Sequence, residues 1–325
     1  MIHSKNMLKE NLIDANTYSF DEIYCETKLN QNESPFDISA ALKQEISEEV
    51  CRQNWNRYPS LTGARLRHEL SGFLGIQETH IVVGIGSDEM LSAAATIVLG
   101  KGKSVLRVEP TFQIYKQCAV SNGADEIFLR LNSDFSYPVE EIVRVLKNQK
   151  IDLLMIASPN SPTGNSLNLT GLEKILRSTE GLVVIDEAYY EFSGITAFPL
   201  LKKYKNLVIT RTFSKAFGIA GLRVGYLLSN PEIVETIYKV RMPFSLNIFS
   251  EIAAITMLRN YEVIKKNIEI ILENKQILIK DLQDFSSIIV YPSDTNFLIL
   301  DVKQNGGKVA RKFADEGVAV RDVSK

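Results

Sequence analysis

Four short segments carry groups able to do chemistry on a small molecule. One is Thr212-Phe213-Ser214-Lys215-Ala216-Phe217-Gly218, where a lysine has aromatic neighbours on both sides and few charges. Apolar surroundings lower an amine's pKa, and a neutral amine attacks a carbonyl to form an imine. A lone lysine is otherwise a surface residue. Asp186 closes the apolar run Leu182-Val183-Val184-Ile185. A carboxylate there is costly to bury without a cationic partner. A protonated pyridine nitrogen is one such partner, and the ion pair would strengthen the ring as an electron sink. The alternatives are a helix cap, a metal ligand or, with Glu187, a Walker-B-like pair; no G-x-x-x-x-G-K-[ST] loop exists to support the last. Gly84-Ile85-Gly86-Ser87-Asp88 leads into a helical stretch. Its glycines allow a tight turn and close approach, and the N–H groups at the helix start form an anion site. Ser and Asp are also ordinary N-caps. Glu89 stands where a dinucleotide fingerprint needs its third glycine. Arg223, in Gly221-Leu222-Arg223-Val224-Gly225-Tyr226, offers a planar fork suited to phosphate, or to a structural salt bridge.

These residues need elements to position them. Apolar runs of strand length recur at Ile81-Val83, Val105-Val108, Leu153-Ala157, Leu182-Ile185 and Leu207-Thr210. Between them, helical periodicity marks Asp88 to Leu99, Tyr115 to Ser121, Val139 to Asn148 and Leu172 to Ser178. Strands alternating with helices predict an α/β fold with a mainly parallel sheet covered on both faces. In such sheets ligands bind beyond the carboxyl ends of the strands, where the four segments fall, together with Glu109-Pro110-Thr111-Phe112 and Ser158-Pro159-Asn160-Ser161-Pro162-Thr163-Gly164. After about Asn230 the texture changes. Helices are expected over Pro231 to Arg241 and Ile248 to Asp284, strands at Ser287 to Tyr291 and Phe297 to Asp301, and a helix near Lys308 to Glu316. This reads as a smaller α+β lobe.

Composition narrows the function classes. The chain has 325 residues, enough for one large domain and a smaller one. A net charge of -2 leaves no strong field for nucleic acid or an anionic membrane. No run approaches the roughly 20 apolar residues of a membrane span, and the first twenty residues lack a signal-peptide core. Cys25, Cys51 and Cys118 are far apart and read as reduced thiols of a cytoplasmic protein. His3, His68 and His80 are scattered, so no metal site is expected. Trp55 reads as packing near Tyr58, Lys202-Lys203-Tyr204-Lys205 as a solvated helix end, and Gly306-Gly307 as a turn.

The stretch from Thr212 to Tyr226 resembles the lysine region of fold-type-I aminotransferases, and most of all the histidinol-phosphate aminotransferase family. The resemblance extends to Leu29-Asn30-Gln31-Asn32-Glu33-Ser34-Pro35, to Asn56-Arg57-Tyr58-Pro59, and to the Gly84, Pro110, Pro159 and Asp186 segments, in the family's order over roughly residues 28 to 325. It implies a large domain with a mainly parallel seven-stranded sheet between helices, at 51–245, a small α+β domain at 246–325, and an N-terminal arm, 1–50, that joins the small domain. It implies pyridoxal 5'-phosphate (PLP) as cofactor and transamination of histidinol phosphate with 2-oxoglutarate in histidine biosynthesis. Aromatic-amino-acid aminotransferases and threonine-phosphate decarboxylases share nearly the same site. A catalytically silent PLP-fold binding protein and a nicotinamide oxidoreductase are the readings from other classes; the latter leaves the lysine region unexplained.

Carried onto this chain, the resemblance makes Lys215 the cofactor-bound, proton-shuttling lysine, Asp186 the partner of the pyridine nitrogen and Tyr189 the hydrogen-bond partner of the ring hydroxyl. Phe112 would stack on the ring. Ser87 and Asp88 by backbone, and Ser214 and Arg223 by side chain, would hold the phosphate. Asn160 and Ser161 would line the ring, with serine standing where the family has a second asparagine; serine can donate the same bond but is shorter. Asn32 and Arg321 would bind substrate. Tyr58 would reach substrate and the phosphate in a neighbouring subunit, which implies a homodimer with shared sites. The family also continues a few dozen residues past Arg321-Asp322-Val323-Ser324-Lys325 and supplies a further substrate-binding arginine, so either this chain is truncated or its substrate site is altered.

Overall fold

The computed structural model describes residues 9–13 and 23–324; His3 lies outside them. Eleven strands form among these residues. They are β1 (Thr27–Lys28), β2 (Ile81–Gly84), β3 (Ser104–Glu109), β4 (Asp125–Arg130), β5 (Leu153–Ala157), β6 (Leu182–Asp186), β7 (Leu207–Thr212), β8 (Gly225–Leu228), β9 (Ile289–Val290), β10 (Leu300–Asp301) and β11 (Val318–Ala319). Seven of them build one sheet in the order β2-β8-β7-β6-β5-β3-β4. β4, β3, β5, β6 and β7 run parallel, and β8 is antiparallel to both of its neighbours.

The central strands form where five or six residues of high strand propensity are buried on both faces. Every residue of β5, β6 and β7 is buried, so both faces select apolar side chains and no alternation is visible. One face packs on a core that includes Leu106, Leu154, Val183 and Ile209. The other packs on one that includes Val105, Leu153, Val184 and Val208. The five strands expected from apolar runs all form. β4 and β8 were not expected. β4 is the edge strand, and its sequence Asp-Glu-Ile-Phe-Leu-Arg is only partly covered. β8 begins at Gly225 inside the arginine motif.

The second half is helical, as expected. Asn230 caps the helix Pro231–Tyr238, its side chain accepting from Glu232 N and Ile233 N, with proline at the first helical position. The expected run from Ile248 divides at Asn260 into Ile248–Arg259 and Tyr261–Gln283. The expected strands near 287–291 and 297–301 shrink to the two-residue pair β9 and β10. Gly306-Gly307 is not a turn: it opens the helix Gly306–Asp315, because the Asn305 side chain accepts from Lys308 N and starts the helix there. β1 pairs in parallel with β11, tying the segment before Asn32 to the end of the chain. Among the described residues no helix is long and apolar enough to cross a membrane.

Candidate active site

Asp186 is the last residue of β6 and is 4% exposed. Its carboxylate accepts from the Tyr115 hydroxyl at 3.0 Å and from Thr210 Oγ1 at 3.0 Å. Thr210 is its register partner on β7. Burial pushes Asp186 up to about 6, against the hydrogen bonds of the two hydroxyls, which pull it down. A buried carboxylate held by two neutral hydroxyls and the Ala188 backbone N–H is a half-made ion pair. The protonated ring nitrogen of PLP fits that donor set.

Lys215 follows β7 by three residues. Its Nζ donates to Gln31 O at 2.7 Å and lies 5.7 Å from the centre of the Tyr189 ring. The Tyr189 hydroxyl accepts from Asn32 Nδ2 at 3.1 Å, and its ring meets Phe297 edge to face at 5.2 Å. Asn32 and Lys215 are therefore brought together through Tyr189, although 183 positions separate them in the chain. Asn32 adopts a left-handed backbone, φ 55°, which asparagine tolerates better than most residues.

The anion cup sits at the N-terminus of the helix Ser87–Thr96. Gly86, at φ 88°, turns the chain into it. Arg223 lies over this turn: a Cβ on Gly86 would fall 2.8 Å from its guanidinium. Arg223 donates to Asp88 Oδ2 at 3.0 Å and to Ser214 Oγ at 3.2 Å. Ser214 Oγ also accepts from Thr212 Oγ1 at 2.9 Å. Gly225 allows the close approach, since a Cβ there would meet Gly86 C at 2.3 Å and Ser87 N at 2.4 Å. A helix start, two hydroxyls and an arginine make a donor set suited to a phosphate monoester.

Other expected residues are distributed as follows. Phe112 is half-buried and sits edge to face with Tyr115 at 6.1 Å. Asn160 is buried in the turn after β5, where its amide donates to Pro110 O and Thr163 Oγ1 and its carbonyl accepts from Thr111 Oγ1. Ser161 follows it, half-buried. Arg321 is exposed near the end of the described chain. Tyr58 is 84% exposed and stacks on Phe244 at 4.9 Å. Trp55 does not pack as expected: it is 72% exposed, and its indole N–H reaches only the Val50 carbonyl. Glu187 is no metal or nucleotide group; it is buried against Arg211, with Nε to Oε2 at 2.9 Å.

Sequence reasoning missed Tyr115, Thr210, Thr212, Gln31 and Phe297. Thr210 and Thr212 left a signal, since hydroxyls at the end of a fully buried strand require partners. Tyr115 lies three residues past Phe112, in the first turn of the helix Ile114–Asn122, and the two rings meet edge to face.

A seven-stranded, mainly parallel sheet with a buried carboxylate, a nearby amine and an anion cup at its carboxyl edge has the architecture and donor set of fold-type-I PLP enzymes. The aminotransferase class I and II family matches residues 26–325. A histidinol-phosphate aminotransferase of Thermoanaerobacter sp. (strain X514) is 36% identical over 321 residues, covering 99% of this chain and 91% of that protein. One from Chlorobaculum tepidum is 36% identical over 92% of this chain and 86% of its own. Among solved structures, histidinol-phosphate aminotransferase from Sinorhizobium meliloti in complex with pyridoxal-5'-phosphate superimposes with a TM-score of 0.85, at 24% identity over 92% of this chain and 83% of that one. The chain belongs to the class I and II aminotransferases, and it is a PLP-dependent enzyme.

Proposed function

We propose that this enzyme transfers the amino group of histidinol phosphate to 2-oxoglutarate, a step of histidine biosynthesis. The observation that carries this reading is the relation to histidinol-phosphate aminotransferases at 35–36% identity along nearly the whole chain, joined to a site whose donors suit the PLP family.

When bound, PLP supplies a ring that spreads the charge left on the substrate carbon after proton loss. The chain's own residues do the rest. Asp186 would hold the ring nitrogen and keep its proton in place. Lys215 Nζ would hold the cofactor until the substrate amine takes its place, and the freed amine would then move the proton of the substrate carbon to the cofactor carbon that the lysine had held. Tyr189, oriented by Asn32, would hold the ring oxygen, and Phe112 would stack on the ring. Asn160 shapes the turn that carries Ser161 to the ring. The N–H groups of Ser87 and Asp88, with Ser214 and Arg223, fix the phosphate and so the orientation of everything attached to it. Asn32 and Arg321 receive the substrate.

A homodimer with shared sites completes this reading. Its support is an uncovered apolar surface near the cup: Tyr58, Met242, Phe244, Phe249 and Ile85 are all exposed in the single chain, and a partner's Tyr58 is suited to the phosphate. The large domain spans 51–245, the small one 246–325, with 1–50 as an arm; three separated free cysteines suit the cytoplasm.

Purified holoenzyme is to be assayed with histidinol phosphate, phenylalanine and threonine phosphate, each with 2-oxoglutarate. Histidinol phosphate is expected to give the highest kcat/KM; preference for phenylalanine, or decarboxylation of threonine phosphate, would overturn the assignment. Lys215→Ala is expected to abolish the lysine-linked cofactor absorbance band, and a variant that kept the band would refute the role of Lys215.

A further inference from the structure

Lys275 is an unusual residue for its place. It lies on the buried face of the helix Tyr261–Gln283, in line with Ile264, Ile268 and Leu272, and is 7% exposed. A buried ammonium is costly unless its donors are met. Lys275 Nζ meets them with two backbone carbonyls, Ser293 O at 2.7 Å and Thr295 O at 2.6 Å. Burial holds its pKa below the ordinary lysine value.

The segment it grips is not a passive loop. Ser293 Oγ and Thr295 Oγ1 both donate to Phe297 O, at 2.6 and 3.1 Å, which folds the segment on itself. Asp294 N donates to Gly164 O at 2.7 Å, in the turn that carries Asn160 and Ser161. A Cβ on Gly164 would fall 2.7 Å from Ser293 Oγ, so the two segments are in close contact. At its far end, Asn296 Nδ2 donates to Asn32 O at 3.1 Å, and Phe297 lies against Tyr189. Asn296 Oδ1 is buried with no partner among the described residues. One lysine on the long helix therefore fixes a segment touching the ring-side turn, Asn32 and Tyr189 at once.

We propose that Lys275 is a positioning residue for transamination: through the 293–297 segment it sets Asn32 and Tyr189 against the cofactor. This rests on the reading of Lys215 and Tyr189 as cofactor-facing. The chemistry selects the residue type. Two converging carbonyls require a donor with no acceptor character at the end of a long stem, and a methionine of similar length leaves both unmet.

The test compares holoenzymes of wild type, Lys275→Met, Lys275→Arg and Asn296→Ala. The readouts are kcat and KM, cofactor dissociation constant, the absorbance and circular dichroism of the bound cofactor, and thermal melting. Loss of net hydrogen bonding on this scale corresponds to roughly a tenfold change. Lys275→Met is expected to lower kcat about tenfold per mole of bound cofactor, with a smaller change in KM, and to alter the cofactor's circular dichroism. Lys275→Arg should restore most of both. Asn296→Ala should change them in the same direction, and a double variant combining Lys275→Met with Asn296→Ala should lose less than the sum of the singles, because both act through one segment. If Lys275→Met only lowers the melting temperature, with kcat and the cofactor spectrum as in wild type, Lys275 is a structural clamp and the proposal fails. Should that variant not fold, a wild-type kcat and spectrum for Asn296→Ala decides against it equally. A wild-type protein with no lysine-linked band would overturn the site reading as well, a result distinct from either.

Discussion

Asp186→Asn should stabilise the protein without cofactor and impair it with cofactor. In the structure burial moves this carboxyl from its ordinary 3.8 to about 6. Each pKa unit is about 1.4 kcal/mol, so keeping Asp186 charged costs the unliganded fold roughly 3 kcal/mol above pH 6. The folded pKa lies above the unfolded one, so the folded state holds the extra proton between them. The stability this group contributes is complete below about pH 4, declines as pH rises to about 6, and is level beyond that. Asparagine is always neutral, and its amide can meet the Tyr115 and Thr210 hydroxyls, which both donate and accept. Unliganded Asp186→Asn should therefore be more stable than wild type at pH 8 by up to about 3 kcal/mol, a rise of several degrees in Tm for a chain of this size. About half of the difference should remain at pH 5. Glu191, which burial pushes up to about 8, is present in both proteins and cancels in the comparison. With cofactor the sign reverses. A neutral residue gives up the one to three pKa units by which an opposite charge favours a protonated ring nitrogen, so affinity should fall roughly ten- to a thousandfold. Differential melts at the two pH values and a cofactor titration check both halves. An unliganded variant less stable than wild type at pH 8, or a difference independent of pH, would refute the claim that Asp186 awaits a cation.

Gly225→Ala places a methyl within 2.4 Å of two backbone atoms of the phosphate turn; it should cost about 1–3 kcal/mol in urea unfolding of the unliganded protein and weaken cofactor binding with it. Arg223→Met should separate these effects. Its ion pair with Asp88 is about half exposed, so unfolding should change by no more than about 1 kcal/mol, whereas loss of charge-assisted bonds to phosphate should raise the cofactor dissociation constant roughly ten- to a hundredfold in a fluorescence titration.

What could be read from the chain alone follows a physical line. β5, β6 and β7 were legible because burial on both faces forces continuous apolar runs, and Asp186 stood out because it ends such a run. β4 was not, since an edge strand half in solvent mixes Asp125, Glu126 and Arg130 with its apolar residues and loses the pattern. Gly306-Gly307 misled because a side-chain cap from Asn305 outweighs the low helix propensity of glycine. In the candidate site, Lys215, Arg223 and the Gly84–Asp88 turn drew attention because each lies in a local signature, a turn or the end of a strand. Tyr115, Gln31 and Lys275 were not, because each acts on a group 71, 184 or about 20 positions away, and no local pattern records such a meeting. The same holds for Tyr58, whose neighbour within the chain, Phe244, lies 186 positions away. Its ring is otherwise 84% exposed, which is the observation behind the proposed homodimer, where a neighbouring subunit would cover it.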